Sequence, residues 1–379
     1  MDIEVGDAAL ADLHERLRRT RLDGARAPAG SWTMGTDRDF VARLVDHWLH
    51  RFDWRHWEGR LAAYENLEVD VDGLGLHCLR ARSPEPDALP LVMTHGWPGS
   101  VFEFLKILPL LVDPAAHGGD ARDAFEVLCP SLPGFGFSAA PAAPGYDVKA
   151  AGETLAAMME ALGYRRYGAQ GGDWGAMASP YLALAAPEAC VGLHLNLVLA
   201  PCPPGEDARA TLTPAELAAF EEARAYMRSG TGYQKIQSTR PETLAVALGD
   251  SPAGLAAWIV DGFRSWSDCD GDIERRFSMD ELLANVSLYW LTATAGSSMR
   301  LYFESRASGR FGPVERRVEV PTGCAIFPRE LFRPPRRWAE RLYNVVHWSE
   351  MPSGGHFAAM EEPDALARDL RAFFRPLRS

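Results

Sequence analysis

Four apolar runs of strand length, each ending in a Gly- or Pro-rich turn, constrain this chain more than any other feature. They are Leu89–Thr94, Phe125–Cys129, Tyr167–Gln170 and Val191–Val198, with helix-like stretches between them. A strand that is apolar on both faces must be covered on both faces, and repeated strand–turn–helix units build a parallel sheet. The rhythm breaks at Pro201-Cys202-Pro203-Pro204-Gly205, which opens about a hundred mostly helical, aromatic-rich residues. It returns with Val318–Phe327 and Asn344–Trp348, and an amphipathic helix, Ala365–Phe374, ends the chain. The prediction is one mostly parallel α/β sheet, covered by helices on both faces and interrupted by a helical insertion. An insertion also accommodates 379 residues, more than the roughly 250–300 that one core usually holds.

Ahead of the sheet, residues 1–60 read as helical and Trp-rich. Phe40, Val41, Leu44, Val45, Trp48 and Leu49 fall on one face at helical spacing. Two β-rich runs follow, Leu67–Val71 and Leu74–Leu79, and the Asp72-Gly73 between them signals a hairpin.

Charge narrows the function. Against 39 basic residues stand 51 acidic ones, a net −12, so the chain lacks the basic field of a nucleic-acid or anionic-membrane binder. No run reaches the roughly 18 apolar residues of a membrane span. The start, Met1-Asp2-Ile3-Glu4-Val5-Gly6-Asp7, has neither the charged nor the apolar region of a signal peptide. The expectation is a soluble, cytoplasmic protein. Six scattered cysteines without a Cys-x-x-Cys pair read as buried thiols in a reducing compartment. Asp268-Cys269-Asp270-Gly271-Asp272 begins like a calcium loop, but Ile273 and Met279 occupy positions six and twelve. It reads as a solvated acidic loop.

Chemistry concentrates in the turns. Gly171-Gly172-Asp173-Trp174-Gly175 has the spacing of a nucleophile elbow, a sharp strand-to-helix turn with an Asp at its apex. Alone it reads equally well as a Gly-rich turn with an Asp helix cap. Gly354-Gly355-His356-Phe357 follows the last strand, and of the ten histidines only His356 has that position. Glu330 follows the strand Val318–Phe327, where a carboxylate can orient His356; Glu340 and Glu350 lie away from that end. The chain order is then nucleophile, acid, histidine, as in α/β-hydrolases. His95-Gly96-Trp97-Pro98-Gly99 ends the strand Leu89–Thr94. There the backbone N–H of Trp97 can meet that of Trp174 at an oxyanion, and Trp97-Pro98 fits a cis peptide.

An aspartate nucleophile carries chemical information. A serine attacking saturated carbon leaves an ether that water does not readily cleave, whereas a carboxylate leaves an ester. Water activated by histidine can attack the carbonyl of that ester. Epoxides and alkyl halides both fit. A halide wants N–H donors, and an epoxide oxygen wants a proton donor such as a neutral phenol. The insertion offers Tyr226, Tyr233 and Tyr289, with Tyr302 at its end.

The motifs around Trp97, Asp173 and His356 resemble those of the microsomal-type epoxide hydrolases. Thr231-Gly232-Tyr233-Gln234-Lys235-Ile236-Gln237 and Asp250-Ser251-Pro252-Ala253-Gly254-Leu255-Ala256-Ala257-Trp258 do so too. The resemblance covers nearly the whole chain. It implies an α/β-hydrolase fold with an N-terminal extension over residues 1–64 that wraps core and lid. The core would occupy residues 65–200 and 301–379, with the helical lid at 201–300. It implies an epoxide hydrolase forming a vicinal diol, with Asp173 as nucleophile, His356 as base, Glu330 as its acidic partner, and Tyr233 and Tyr302 as donors to the epoxide oxygen. No metal or organic cofactor is implied, and the expected partner is a small apolar epoxide; a homodimer is compatible with the resemblance. The membrane-anchoring N-terminal helix of the mammalian members has no counterpart, as in the soluble bacterial and fungal ones. Relatives of that kind serve detoxification or natural-product biosynthesis. Trp97, Trp174 and Phe357 are candidates for the pocket wall, and Trp258, Trp266 and Trp290 belong to either pocket or core. The runner-up is a haloalkane or haloacid dehalogenase using the same Asp.

Overall fold

In the computed structural model, which describes residues 1–22 and 31–378, eight strands form one sheet in the order β1-β2-β4-β3-β5-β6-β7-β8. Residues 23–30 of the expected N-terminal extension lie outside the described residues. The strands are β1 (Glu65–Val71), β2 (Leu74–Ala81), β3 (Leu89–Thr94), β4 (Phe125–Pro130), β5 (Tyr167–Gly171), β6 (Cys190–Leu195), β7 (Val318–Ile326) and β8 (Tyr343–Glu350). Only β2 runs against its neighbours. The β1–β2 turn has Asp72 at φ 53° and Gly73 at φ 81°. Left-handed conformation at both central residues matches the twist of a two-residue hairpin, which is why an Asp-Gly pair predicts it.

The central strands are buried on both faces. Leu91, Val92 and Met93 of β3 and every residue of β5 are inaccessible or nearly so. Each such aliphatic side chain contributes about 1.5–3 kcal/mol by leaving water. β6 ends at Leu195, three residues before the predicted Val198, because the chain turns there. Asn196 uses its side-chain oxygen to accept from Gln170, and Leu197 and Val198 become cavity wall.

Between β6 and β7 the chain is helical, from Ala208–Thr211 to Ala295–Ala307, and this last helix runs unbroken through residue 300. Pro214–Ser229 and Met279–Leu291 each open on a capping box, Thr213 with Glu216 and Ser278 with Glu281. The N-terminal helix Arg38–His50 buries the predicted face, Phe40, Val41, Leu44, Val45 and Trp48, with Leu49 half-buried. It is tied to the insertion by Arg43–Glu274 at 2.7 Å and His47 Nε2–Asp280 Oδ1 at 2.7 Å. Trp54 and Trp57 pack edge-on against Phe102 of the core. The N-terminal segment therefore bridges core and insertion. Among the described residues, no single helix is long and apolar enough to cross a membrane.

Candidate active site

β5 delivers the chain into a turn that places Asp173 at φ 47°, at the start of the helix Asp173–Ala185. A non-glycine residue in left-handed conformation is strained, and such strain concentrates at functional sites. The turn closes only because its neighbours are small. A Cβ on Gly175 would lie 1.9 Å from the Thr94 carbonyl oxygen, and one on Gly96 would lie 2.1 Å from Asp173 Oδ1. The β3 loop thus approaches the carboxylate closely enough for the Trp97 backbone N–H to donate to Asp173 Oδ1 at 2.7 Å. The Trp174 N–H belongs to the first turn of the helix, where N–H groups lack partners within the helix. Trp97-Pro98 is cis.

The other carboxylate oxygen, Asp173 Oδ2, lies 3.2 Å from His356 Nε2. On the far side of the ring, His356 Nδ1 meets Glu330 Oε1 at 2.8 Å. Both His356 and Glu330 are only 4% exposed. The Leu331 N–H also donates to Glu330 Oε1 at 2.6 Å, and the Arg329 N–H donates to the Gly354 carbonyl, joining the two loops. Burial alone would push the imidazole down, but Glu330 and Asp173 outweigh it and hold His356 well above its usual range. The rivals lie elsewhere: Glu340 pairs with Arg336 at 2.8 Å, and Glu350 is exposed. His347 pairs with Asp369, and buried His95 accepts from the Leu132 N–H, so both are structural.

Asp173 and Trp174 open onto a cavity of about 420 Å³ between core and lid, within the range of small-molecule sites. Met177, Leu197, Phe220, Met227, Phe332 and Trp338 give it apolar walls. Tyr226, Tyr233 and Tyr302 also line it, whereas Tyr289 donates to the Gly99 carbonyl at 2.7 Å and takes no part. Tyr233 stacks on Trp97 at 5.2 Å, and Tyr302 meets Trp97 and Trp174 edge-on at 6.0 and 4.7 Å. The Tyr226 and Tyr233 hydroxyls are 3.1 Å apart. Burial, reinforced by the Asp173 charge, pushes the Tyr233 and Tyr302 phenols well above the usual tyrosine range. Both phenols are therefore neutral.

Two expected wall residues are placed differently. Phe357 is not on the cavity wall, because its ring stacks on Phe263 at 4.1 Å. Trp97 lies behind Tyr233, and both Trp97 and Phe357 border a small polar pocket on the other side of Asp173. Of the remaining tryptophans, Trp266 packs edge-on against His356 at 5.2 Å, and Trp258 donates to Gln237. Arg16 lies over the Trp290 ring.

Sequence reasoning missed Glu103, which shares the small pocket with Gln170, Asn196 and His356. Desolvation pushes its carboxyl group up to about 8 and the Asp173 charge adds to that, against the pull of His356 and the Gly96 N–H. A lone acid in Val101-Phe102-Glu103-Phe104-Leu105 was the available signal. The acidic loop is also not simply solvated. Asp268 is mostly buried and bonded to Arg276, and Cys269 is buried.

Residues 1–104 match the family described as epoxide hydrolase N terminus, and residues 90–224 match the alpha/beta hydrolase fold. Over 378 residues the chain is 47% identical to a Stigmatella aurantiaca (strain DW4/3-1) protein described provisionally as an epoxide hydrolase, covering 100% of this chain and 84% of that one. It is 37% identical to epoxide hydrolase 1 of Oryctolagus cuniculus, covering 98% and 87%. The chain belongs to the microsomal-type epoxide hydrolase family. It is a hydrolase with the α/β-hydrolase fold. Among family members of known structure, juvenile hormone epoxide hydrolase from the silkworm Bombyx mori superposes with a TM-score of 0.91 at 29% identity, covering 100% of this chain and 94% of that one. The epoxide hydrolase of Aspergillus niger superposes at 0.87 with 30% identity, covering 100% and 96%.

Proposed function

We propose that this epoxide hydrolase opens an apolar epoxide through an ester on Asp173 and then hydrolyses that ester to release a vicinal diol. The observation that carries the reading is the bracketing of one carboxylate. Asp173 takes a backbone N–H on Oδ1 and the histidine of a His–Glu pair on Oδ2, at the mouth of a cavity bearing neutral phenols.

In the first step Tyr233 and Tyr302 donate to the epoxide oxygen while an Asp173 oxygen attacks a ring carbon. The C–O bond breaks and the departing oxygen takes a phenolic proton. Esterification removes the charge of Asp173, one of the two carboxylates holding the His356 proton. The imidazole then gives up that proton more readily. The proton restores the tyrosine left as phenolate by the first step, and the neutral imidazole can take a proton from water. Hydroxide adds to Asp173 Cγ, and the Trp97 and Trp174 N–H groups meet the developing oxyanion. Collapse releases the second alcohol oxygen, protonated by His356, and the proton left on the Asp173 carboxyl returns to His356, restoring the starting state. Tyrosines in the cavity wall and the named relatives favour an epoxide over an alkyl halide.

In this scheme water attacks the enzyme's own carboxyl carbon. A single turnover in ¹⁸O water should therefore place the label in Asp173 and leave the first diol unlabelled. Label in the diol from that turnover would mean direct attack of water on the epoxide. Tyr233→Phe and Tyr302→Phe should each slow ester formation by about 10²-fold. Unchanged single-turnover rates in both would remove the phenols from the mechanism.

A further inference from the structure

The loop carrying His356 is tied to the lid through two backbone N–H groups directly and a third by way of Glu361. The His356 N–H donates to the carbonyl of Trp266, the last residue of the lid helix Pro252–Trp266, at 3.0 Å. The Gly354 N–H donates to Asp268 Oδ2 at 3.0 Å, and the Phe357 N–H donates to Glu361 Oε1 at 3.0 Å. Glu361 closes the circuit, since its Oε2 accepts from the Asp268 N–H at 2.7 Å. Arg276 secures the lid side by donating to the Asp268 carbonyl at 2.6 Å, to Asp268 Oδ2 at 2.8 Å and to Glu362 at 2.9 Å. Asp268 of the lid thus holds the backbone before His356, Glu361, itself bonded to Asp268, holds the backbone after it, and Glu330 holds the ring itself.

We propose that Asp268, Arg276 and Glu361 form a positioning network by which the lid sets His356 for ester hydrolysis. The inference rests on His356 being the base of that step. None of the three touches substrate or the reacting atoms. Their effect follows from geometry, because a displacement of about 1 Å in a reacting group costs about 10²-fold in rate. Since His356 activates water only after the ester has formed, loosening its loop slows hydrolysis and spares ester formation.

The test is single-turnover kinetics with a styrene-type epoxide, read by intrinsic fluorescence, with intact-protein mass spectrometry of the steady state. Arg276→Met should slow hydrolysis about tenfold, leave ester formation within about threefold, and accumulate the alkyl-enzyme. In the steady state kcat and KM should fall together. Arg276→Lys, which keeps the charge, should restore hydrolysis to within about threefold of the parent. If Arg276→Met does not fold, the isosteric Asp268→Asn decides, with hydrolysis slowed at least about threefold and ester formation unchanged. Equal loss in both steps, or a lowered melting temperature with both rates intact, overturns the network's role. His356→Gln is the control. If it accumulates ester and the network variants do not, only the network falls; if it does not, the assignment of the base falls first.

Discussion

Replacing Asp173 with alanine should abolish diol formation, with a loss of about 10⁴-fold or more in kcat. The expectation follows from the elbow. Among the described residues, the substitution removes the one carboxylate that faces the Trp97 N–H, His356 Nε2 and the cavity at once. Neither Glu103 nor Glu330 substitutes, since Glu103 borders the pocket behind Asp173 and Glu330 is committed to His356 Nδ1. Alanine keeps the Cβ and introduces no clash, so the fold should persist; circular dichroism and the melting temperature check this. The decisive measurement is diol release by chromatography over hours at high enzyme concentration. Turnover within tenfold of the parent would exclude ester formation at Asp173.

The second large effect separates the two steps. His356→Gln should lower kcat by about 10³-fold and leave the enzyme trapped as its ester. Glutamine retains a polar group near Glu330 but cannot take a proton from water. Intact mass spectrometry should show the protein plus one epoxide, and peptide mapping should locate the added mass on Asp173. Rapid turnover without an adduct would remove His356 from the role of base. The loss should exceed that of the lid network variants, because deletion of the base removes the chemistry that the network only positions.

Much of the fold was legible because its signals are local. A two-residue turn requires particular residues at two adjacent positions, and Asp72-Gly73 supplies them. A strand covered on both faces is a continuous apolar run, as in β3. The elbow was legible in outline too, since its glycines answer to contacts within a few residues of Asp173 or from the end of β3. The strand ends were less so. β6 stops where Asn196 bonds Gln170 of the neighbouring strand, which no pattern within β6 announces.

What the sequence determined by itself was therefore the parallel α/β architecture, the interrupting helices, the turn that exposes Asp173 and the histidine that follows the last strand. Each depends on sterics or hydrophobic periodicity over a few residues. The tertiary structure alone decided that Tyr226 joins Tyr233 and Tyr302 at the cavity while Tyr289 does not, and that Phe357 is off its wall. It alone turned an acidic loop into a clasp between Asp268 and Gly354, 86 residues apart. Such contacts depend on where distant segments dock in the packed core, and helical or strand periodicity carries no information at that range.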